Sequence, residues 1–347
     1  MTMLTRRELM LGAAGAGLLA AHGAARAQTP VTLRLQHFLP AQAAIPSKAI
    51  TPWAQKIERD SGGRIKVQIF PSMQLGGTPV SLFDQVKDGV IDITWTVLGY
   101  TPGRFNRAET FELPFTTGRA EPGSRAFHEF CAKFAAEEFR DVKVICNHIH
   151  GPGLFHTKDP VANLEALKGM KIRGGSRVVN NMLTKLGATP VGMPVPAVTE
   201  ALSKGVIDGT TIPWEVVPAV KVQQMVKNHT GFTGPQGLYT QTFVFAMNKG
   251  AYDRLPADLK KIIDDNSGLE VAALFGRGMD EGDREGRELA VKAGNRIVDL
   301  DANETARWKR TASAVADDWV AEMKGKNIDG AALIREARAL VEKYSKA

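Results

Sequence analysis

Arg173 ends the short run Met170-Lys171-Ile172-Arg173 and is followed at once by Gly174-Gly175-Ser176-Arg177. A guanidinium fork at a strand end can give two parallel charge-assisted hydrogen bonds to a carboxylate. A helix opening just beyond it would add the pull of its N-terminal N–H groups on an anion. Pattern alone leaves two readings open, a carboxylate clamp or a surface arginine paired with a neighbouring acid. His148, His150 and His156 are the residue type for metal ligation, and a His-x-His pair on one strand face can chelate zinc. No third ligand follows at a recognisable spacing, and His128-Glu129 lacks a second histidine, so no metal is expected. A Gly-x-Ser-x-Gly elbow and a Gly-Lys-Ser/Thr phosphate loop are both missing. No cofactor is expected, and the balance favours binding over catalysis. A rival enzyme acting on a carboxylate would need a base near the anion, drawn from Glu215, His37 or His150.

These residues depend on an alternation of strands and helices for their placement. Val31–Phe38, Arg64–Phe70, Ile91–Val97 and Val142–His148 carry the period of strands. Ile45–Asp60, Val80–Val90 and Ser124–Phe139 carry helical spacing, the first stopping at Ser61-Gly62-Gly63. A second series follows, with strands near Met170–Arg173, Thr189–Met193 and Ile207–Ile212 and helices over Val178–Leu186 and Ala197–Val206. Gln241–Asn248 is a further strand. Beyond Pro256 helical patterns dominate, broken by Arg296–Leu300. The alternation predicts α/β lobes with largely parallel sheets, and two series predict two lobes. Ligands in such folds sit in the cleft at strand carboxyl ends. The segments there are His37-Phe38, Tyr100 in a Gly/Pro-rich turn, His148 to Gly153, Arg173 to Arg177, and Trp214-Glu215.

Thr5-Arg6-Arg7-Glu8, the apolar run to Ala21 and the small-x-small site Ala25-Arg26-Ala27 have the layout of a secretory signal, 1–27, of twin-arginine type. The apolar run is too short to span a bilayer, which takes ~20 residues. Export to the periplasm is therefore expected. Roughly 320 residues then remain, more than one hydrophobic core usually spans. The formal charge of +7 falls by two on removal of Arg6, Arg7, Arg26 and Glu8. The remaining Lys and Arg are spread out, without the basic, aromatic-interleaved patch of a nucleic-acid surface, and the mild positive field suits anions. Cys131 and Cys146 read either as a bridge, which the compartment permits, or as two buried thiols.

Several ordered blocks carry a family likeness. They are Pro52-Trp53 through Gly62-Gly63-Arg64 to Pro71 and Leu75-Gly76; Asp92 to Trp95; Phe111-Glu112-Leu113-Pro114-Phe115; Leu167 with Gly169-Met170-Lys171-Ile172-Arg173; Leu186-Gly187-Ala188 with Pro190; Glu200-Ala201-Leu202 with Gly205-Val206-Ile207-Asp208-Gly209; and Met247-Asn248-Lys249. On these the chain resembles the extracytoplasmic receptors of tripartite ATP-independent periplasmic (TRAP) transporters, of the C4-dicarboxylate-receptor type, over essentially the whole mature length. The resemblance implies a two-lobed α/β flytrap with a long helix crossing both lobes. Lobe I is expected over 28–152 and lobe II over 153–240. The chain should return to lobe I over 241–275. The spanning helix and C-terminal helices, 276–347, should pack mainly on lobe II. It also implies that Arg173 clamps a ligand carboxylate, and that the partner is an ion-driven membrane permease. A monomer that is no enzyme is expected. The chain departs from the pattern where Gly153-Leu154-Phe155-His156 lacks the second arginine of many relatives, and where Pro213-Trp214-Glu215 replaces an Asn-Pro-like ending. Those departures point away from sialic acid and strict C4-dicarboxylates. Tyr100, Trp214, Phe38 and Phe243 suggest an apolar or aromatic ligand body, and His37, Glu215 and His156 complete the candidate site.

Overall fold

The structure, a computed structural model, describes residues 29–346; the expected signal segment lies outside the described residues. The strands are β1 (Val31–His37), β2 (Ile65–Phe70), β3 (Ile93–Val97), β4 (Val142–Ile149), β5 (Leu154–Thr157), β6 (Lys171–Gly174), β7 (Thr189–Gly192), β8 (Gly209–Ile212), β9 (Asn228–Phe232), β10 (Thr242–Asn248) and β11 (Arg296–Leu300). They form two sheets, ordered β2-β1-β3-β10-β4 in the first lobe and β11-β9-β5-β8-β6-β7 in the second. The helical spacing of Ile50, Trp53 and Ile57 buries all three against the first sheet. That helix ends where Gly62 and Gly63 take φ of 60° and 79°, a backbone region that costs glycine nothing.

Both sheets are largely parallel, as expected, and each contains one reversed strand. β10 runs antiparallel to β3 and β4, and β5 antiparallel to β8 and β9. Both strands belong to stretches where the chain passes between sheets, so each enters its sheet from the opposite end. β5 and β9 were not expected from the sequence. The first is only four residues long, and the second carries Asn228, His229 and Gly231, which mask a strand pattern. The helix expected over 124–139 instead runs over Ala120–Phe134. Its start is set by Asp280, whose carboxylate accepts the N–H of Ala120 at 2.7 Å and of Glu121 at 3.2 Å. A cap supplied from so far along the chain leaves no local signal.

The helix Leu269–Lys292, about 36 Å long, crosses both lobes. It starts earlier than the expected 276. It packs on Ala120–Phe134 and β4 in the first lobe and on Trp214–Val216 in the second. A Cβ at Gly276 would press on the Glu121 backbone, and one at Gly286 would overlap the Trp214 carbonyl oxygen. Glycine at these two positions lets the helix backbone lie directly on each lobe. Of the helices after β11, Ala302–Ala312 and Ala314–Gly325 lie on the second lobe, where Trp308 packs on Phe155 and Phe232 and Asp318 pairs with Lys185, but the last helix does not. Gly330–Ser345 lies against Ala120–Phe134, where Lys343 and Tyr344 both reach Glu129 of the first lobe. Leu333, Ala337 and Leu340 form its buried stripe.

Candidate functional site

A cavity lies between the two lobes at the carboxyl ends of their strands. Phe38, Trp95, Tyr100 and Phe243 of the first lobe and Arg173, Ile212, Pro213 and Glu215 of the second line it, with His150 and Gln241 from the crossing segments. Strand pleating explains the first wall. Trp95 and Val97 are two apart on β3 and share a face, and Phe243 pairs with Val97 across the β10 ladder. The rings are layered: Phe38 stacks on Trp95 at 4.8 Å and 11°, and Phe243 on Trp95 at 5.3 Å and 4°. His148 lies beside Trp95, nearly coplanar with it and also stacked on Phe243, and its Nε2 accepts the Trp95 indole N–H at 2.7 Å. The indole donor is thus satisfied, leaving flat apolar faces to the cavity.

Arg173, on β6, is completely buried. Its Nε donates to the Met193 carbonyl at 2.8 Å and its Nη1 to the Thr211 carbonyl at 3.2 Å. These two bonds lock the fork. Nη2 has no hydrogen-bond partner among the described residues, and no acid among them pairs with the cation. A buried charge without a counter-ion costs several kcal/mol. Two more donors share this wall. The Gln241 amide nitrogen has no partner among the described residues. Tyr100 Oη accepts the Val195 N–H at 2.9 Å, which leaves its own proton free to donate. A Cβ on Gly175 would overlap the Gln241 amide, so glycine there admits Gln241 to the site. Three donors on one cavity form a receptacle for a carboxylate.

The remaining polar residues differ in what they have left to offer. His150 is held neutral, its pKa pushed down to about 3 by burial. Its Nε2 accepts the Gln241 N–H at 2.9 Å and its Nδ1 meets the Gly151 carbonyl at 2.6 Å, so both nitrogens are occupied. Glu215 is pushed up to about 7 by burial, with its Oε1 unpartnered among the described residues.

Five of the eight expected site residues therefore meet on one cavity: Arg173, Tyr100, Phe38, Phe243 and Glu215. Three do not. His37 precedes Phe38, so the pleat turns it away; it lies edge-on to Trp95 at 6.4 Å. Trp214 and Glu215 are successive residues of a 3-10 turn, which sets their side chains about 120° apart. Trp214 faces His156 and His229 instead, at 5.0 and 4.8 Å. His156 is spent in a buried relay. Asn295 Nδ2 donates to His229 Nε2 at 2.9 Å, the two histidines meet through Nδ1 at 2.7 Å, and His156 Nε2 donates to the Ile212 carbonyl at 3.1 Å. Burial holds both rings neutral. Trp95 and Gln241 line the cavity without having been expected there, and His150, weighed only as a base, lines it too. Trp95 was legible as the strand partner of Val97 facing the same side; Gln241 had no local signal. Cys131 and Cys146 are buried free thiols.

The family of bacterial extracellular solute-binding proteins, family 7, matches residues 35–323. Three solved structures are similar over nearly the whole chain. A TRAP solute-binding protein from Rhodoferax ferrireducens T118, in complex with copurified benzoate, is 48% identical, with 91% of this chain and 99% of that one covered and a TM-score of 0.89. A marine-metagenome TRAP solute-binding protein specific for aromatic acid ligands, with 3-hydroxybenzoate, is 46% identical, with 91% and 99% covered and a TM-score of 0.90. A Bordetella bronchiseptica TRAP periplasmic solute-binding protein with bound mandelate is 30% identical, with 90% and 99% covered and a TM-score of 0.83.

Proposed function

Since the chain belongs to family 7 of the bacterial extracellular solute-binding proteins and is a TRAP-transporter receptor, we propose that its ligand is a single-ring aromatic monocarboxylate, received in the periplasm and passed to a membrane permease. The observation that carries this reading is the buried, counter-ion-free Arg173 fork beside a layered Phe38–Trp95–Phe243 wall. An anion is needed at one end of the ligand and a flat apolar body at the other. The ligands of the three similar proteins, benzoate, 3-hydroxybenzoate and mandelate, support the same class.

In this reading the carboxylate takes the free Nη2 of Arg173, the Gln241 amide and the Tyr100 hydroxyl. The cleft closes because the anion prefers the state in which both lobes supply donors. The protein binds without turnover. The family supports this reading, and of the three candidate bases His37 lies off the cavity, His150 has both nitrogens engaged, and Glu215 alone remains on it. Purified protein should be screened by thermal shift against benzoate, phenylacetate, mandelate, succinate and sialic acid. An aromatic acid at 100 times its dissociation constant should add ~2.7 kcal/mol. Stabilisation by succinate alone would overturn the ligand class, and recovery of altered benzoate would overturn the receptor reading.

A further inference from the structure

We infer that Glu215 is a specificity residue that receives a ring hydroxyl, so that hydroxylated aromatic acids are bound in preference to the parent acid. The inference rests on the aromatic-acid reading above. The donors of the cavity are Arg173, Gln241 and Tyr100, and one carboxylate satisfies them. Glu215 is left over as a carboxyl group on the same cavity, 5% exposed, with Oε1 unpartnered among the described residues.

Its position is separate from the donors. Arg173 pairs with Thr210 in the β6–β8 ladder, whereas Glu215 follows the far end of β8, with Ile212 alone about 7 Å further along the strand. The neighbours differ as well. Arg173 is fixed by Met193 and Thr211, while Glu215 has its stem against Gly282, its carboxyl bonded to the Ile45 backbone and its own N–H held by Asp283. A ligand gripped at Arg173 therefore presents its far ring edge to Glu215. A carboxyl that is neutral or charged near pH 7 can donate to a phenol oxygen or accept from its O–H. A site that leaves a buried polar group unpaired rejects the analogue lacking the matching group.

The test is calorimetric titration of the full mature chain with benzoate and with 2-, 3- and 4-hydroxybenzoate, repeated on Glu215→Leu and Glu215→Gln, with melting curves to show that each variant is folded. The ortho hydroxyl bonds internally to its own carboxylate and serves as the control. The wild type should bind the better of the meta and para isomers at least ~10-fold more tightly than benzoate. That ratio should collapse in Glu215→Leu and survive in part in Glu215→Gln, which keeps a donor and an acceptor. Equal binding of benzoate and every isomer by the wild type, or the same ratio in Glu215→Leu, would overturn the inference and leave the aromatic-acid reading standing. Failure of all four acids to bind would overturn both.

Discussion

Asp283 Oδ1 accepts the backbone N–H of Glu215 at 2.7 Å, and so fastens the spanning helix to the segment that carries the cavity's only described acid. Three residues earlier Asp280 caps the first-lobe helix at Ala120. One turn of a single helix thus holds both lobes by carboxylates on backbone donors. Burial raises the Asp283 carboxyl well above the usual range. Asp283→Asn keeps a neutral acceptor of the same shape and should leave the melting temperature nearly unchanged. Asp283→Leu orphans the Glu215 N–H and should cost ~1–3 kcal/mol. Denaturant melts of the two variants check this; equal losses would show that the charge, not the acceptor, matters.

Arg173→Ala should weaken benzoate binding by at least ~30-fold, the loss of a charged partner in a buried cleft being worth roughly 2–5 kcal/mol. Arg173→Lys should fall in between, since a point charge cannot hold the Met193 and Thr211 carbonyls and a carboxylate together. The unliganded protein should respond in the opposite sense. Arg173→Met removes a buried cation that has no counter-ion among the described residues, and its ligand-free melting temperature should stay level or rise. Calorimetry and ligand-free melts of the same variants read both effects.

The strength of sequence reading followed the range of the physics involved. The Arg173-Gly174-Gly175 junction is a local pattern, and the residue stands buried on the cavity it was expected to serve. Phe38, Tyr100 and Phe243 likewise lie at the ends of strands whose period was clear. Trp214 was misplaced because a 3-10 turn, unlike a helix or strand, leaves no periodicity by which to assign a face. His156 was misplaced because its partners, His229 and Asn295, approach from β9 and the end of the spanning helix. The start of helix Ala120–Phe134 was missed because its cap, Asp280, lies 160 residues away.

Glu215 should make stability depend on pH in a definite direction. In the fold burial lets it keep its proton up to about 7, against about 4.5 for a free glutamate. Between these values the folded chain binds a proton that the unfolded chain has released, so the contribution is complete below about 4.5 and is lost as pH rises to about 7. Glu215→Gln has no such proton to lose. The stability of wild type relative to Glu215→Gln should therefore fall between pH 5 and pH 8, by about 3 kcal/mol at most. Paired denaturant titrations at several pH values cancel the opposing buried histidines. A flat difference would show that Glu215 is charged throughout.

Arg177 and Glu109 join the lobes outside the cavity. Arg177 opens the second-lobe helix Arg177–Lys185, and Glu109 lies in the first-lobe turn Ala108–Glu112. Arg177 Nε donates to Glu109 Oε1 at 2.6 Å, a second guanidinium nitrogen reaches Oε2, and the Trp319 indole donates to Oε2 at 3.3 Å. These bonds exist only with the lobes together, so they contribute to the closed state whatever the ligand. Glu109→Gln should thus weaken aromatic-acid binding by roughly fivefold or more through the closure equilibrium, although Glu109 does not line the cavity. Calorimetry gives the affinity, and small-angle scattering of the ligand-free variant should show a larger radius of gyration than wild type. Unchanged affinity together with unchanged dimensions would mean that closure is set by the cavity contacts alone.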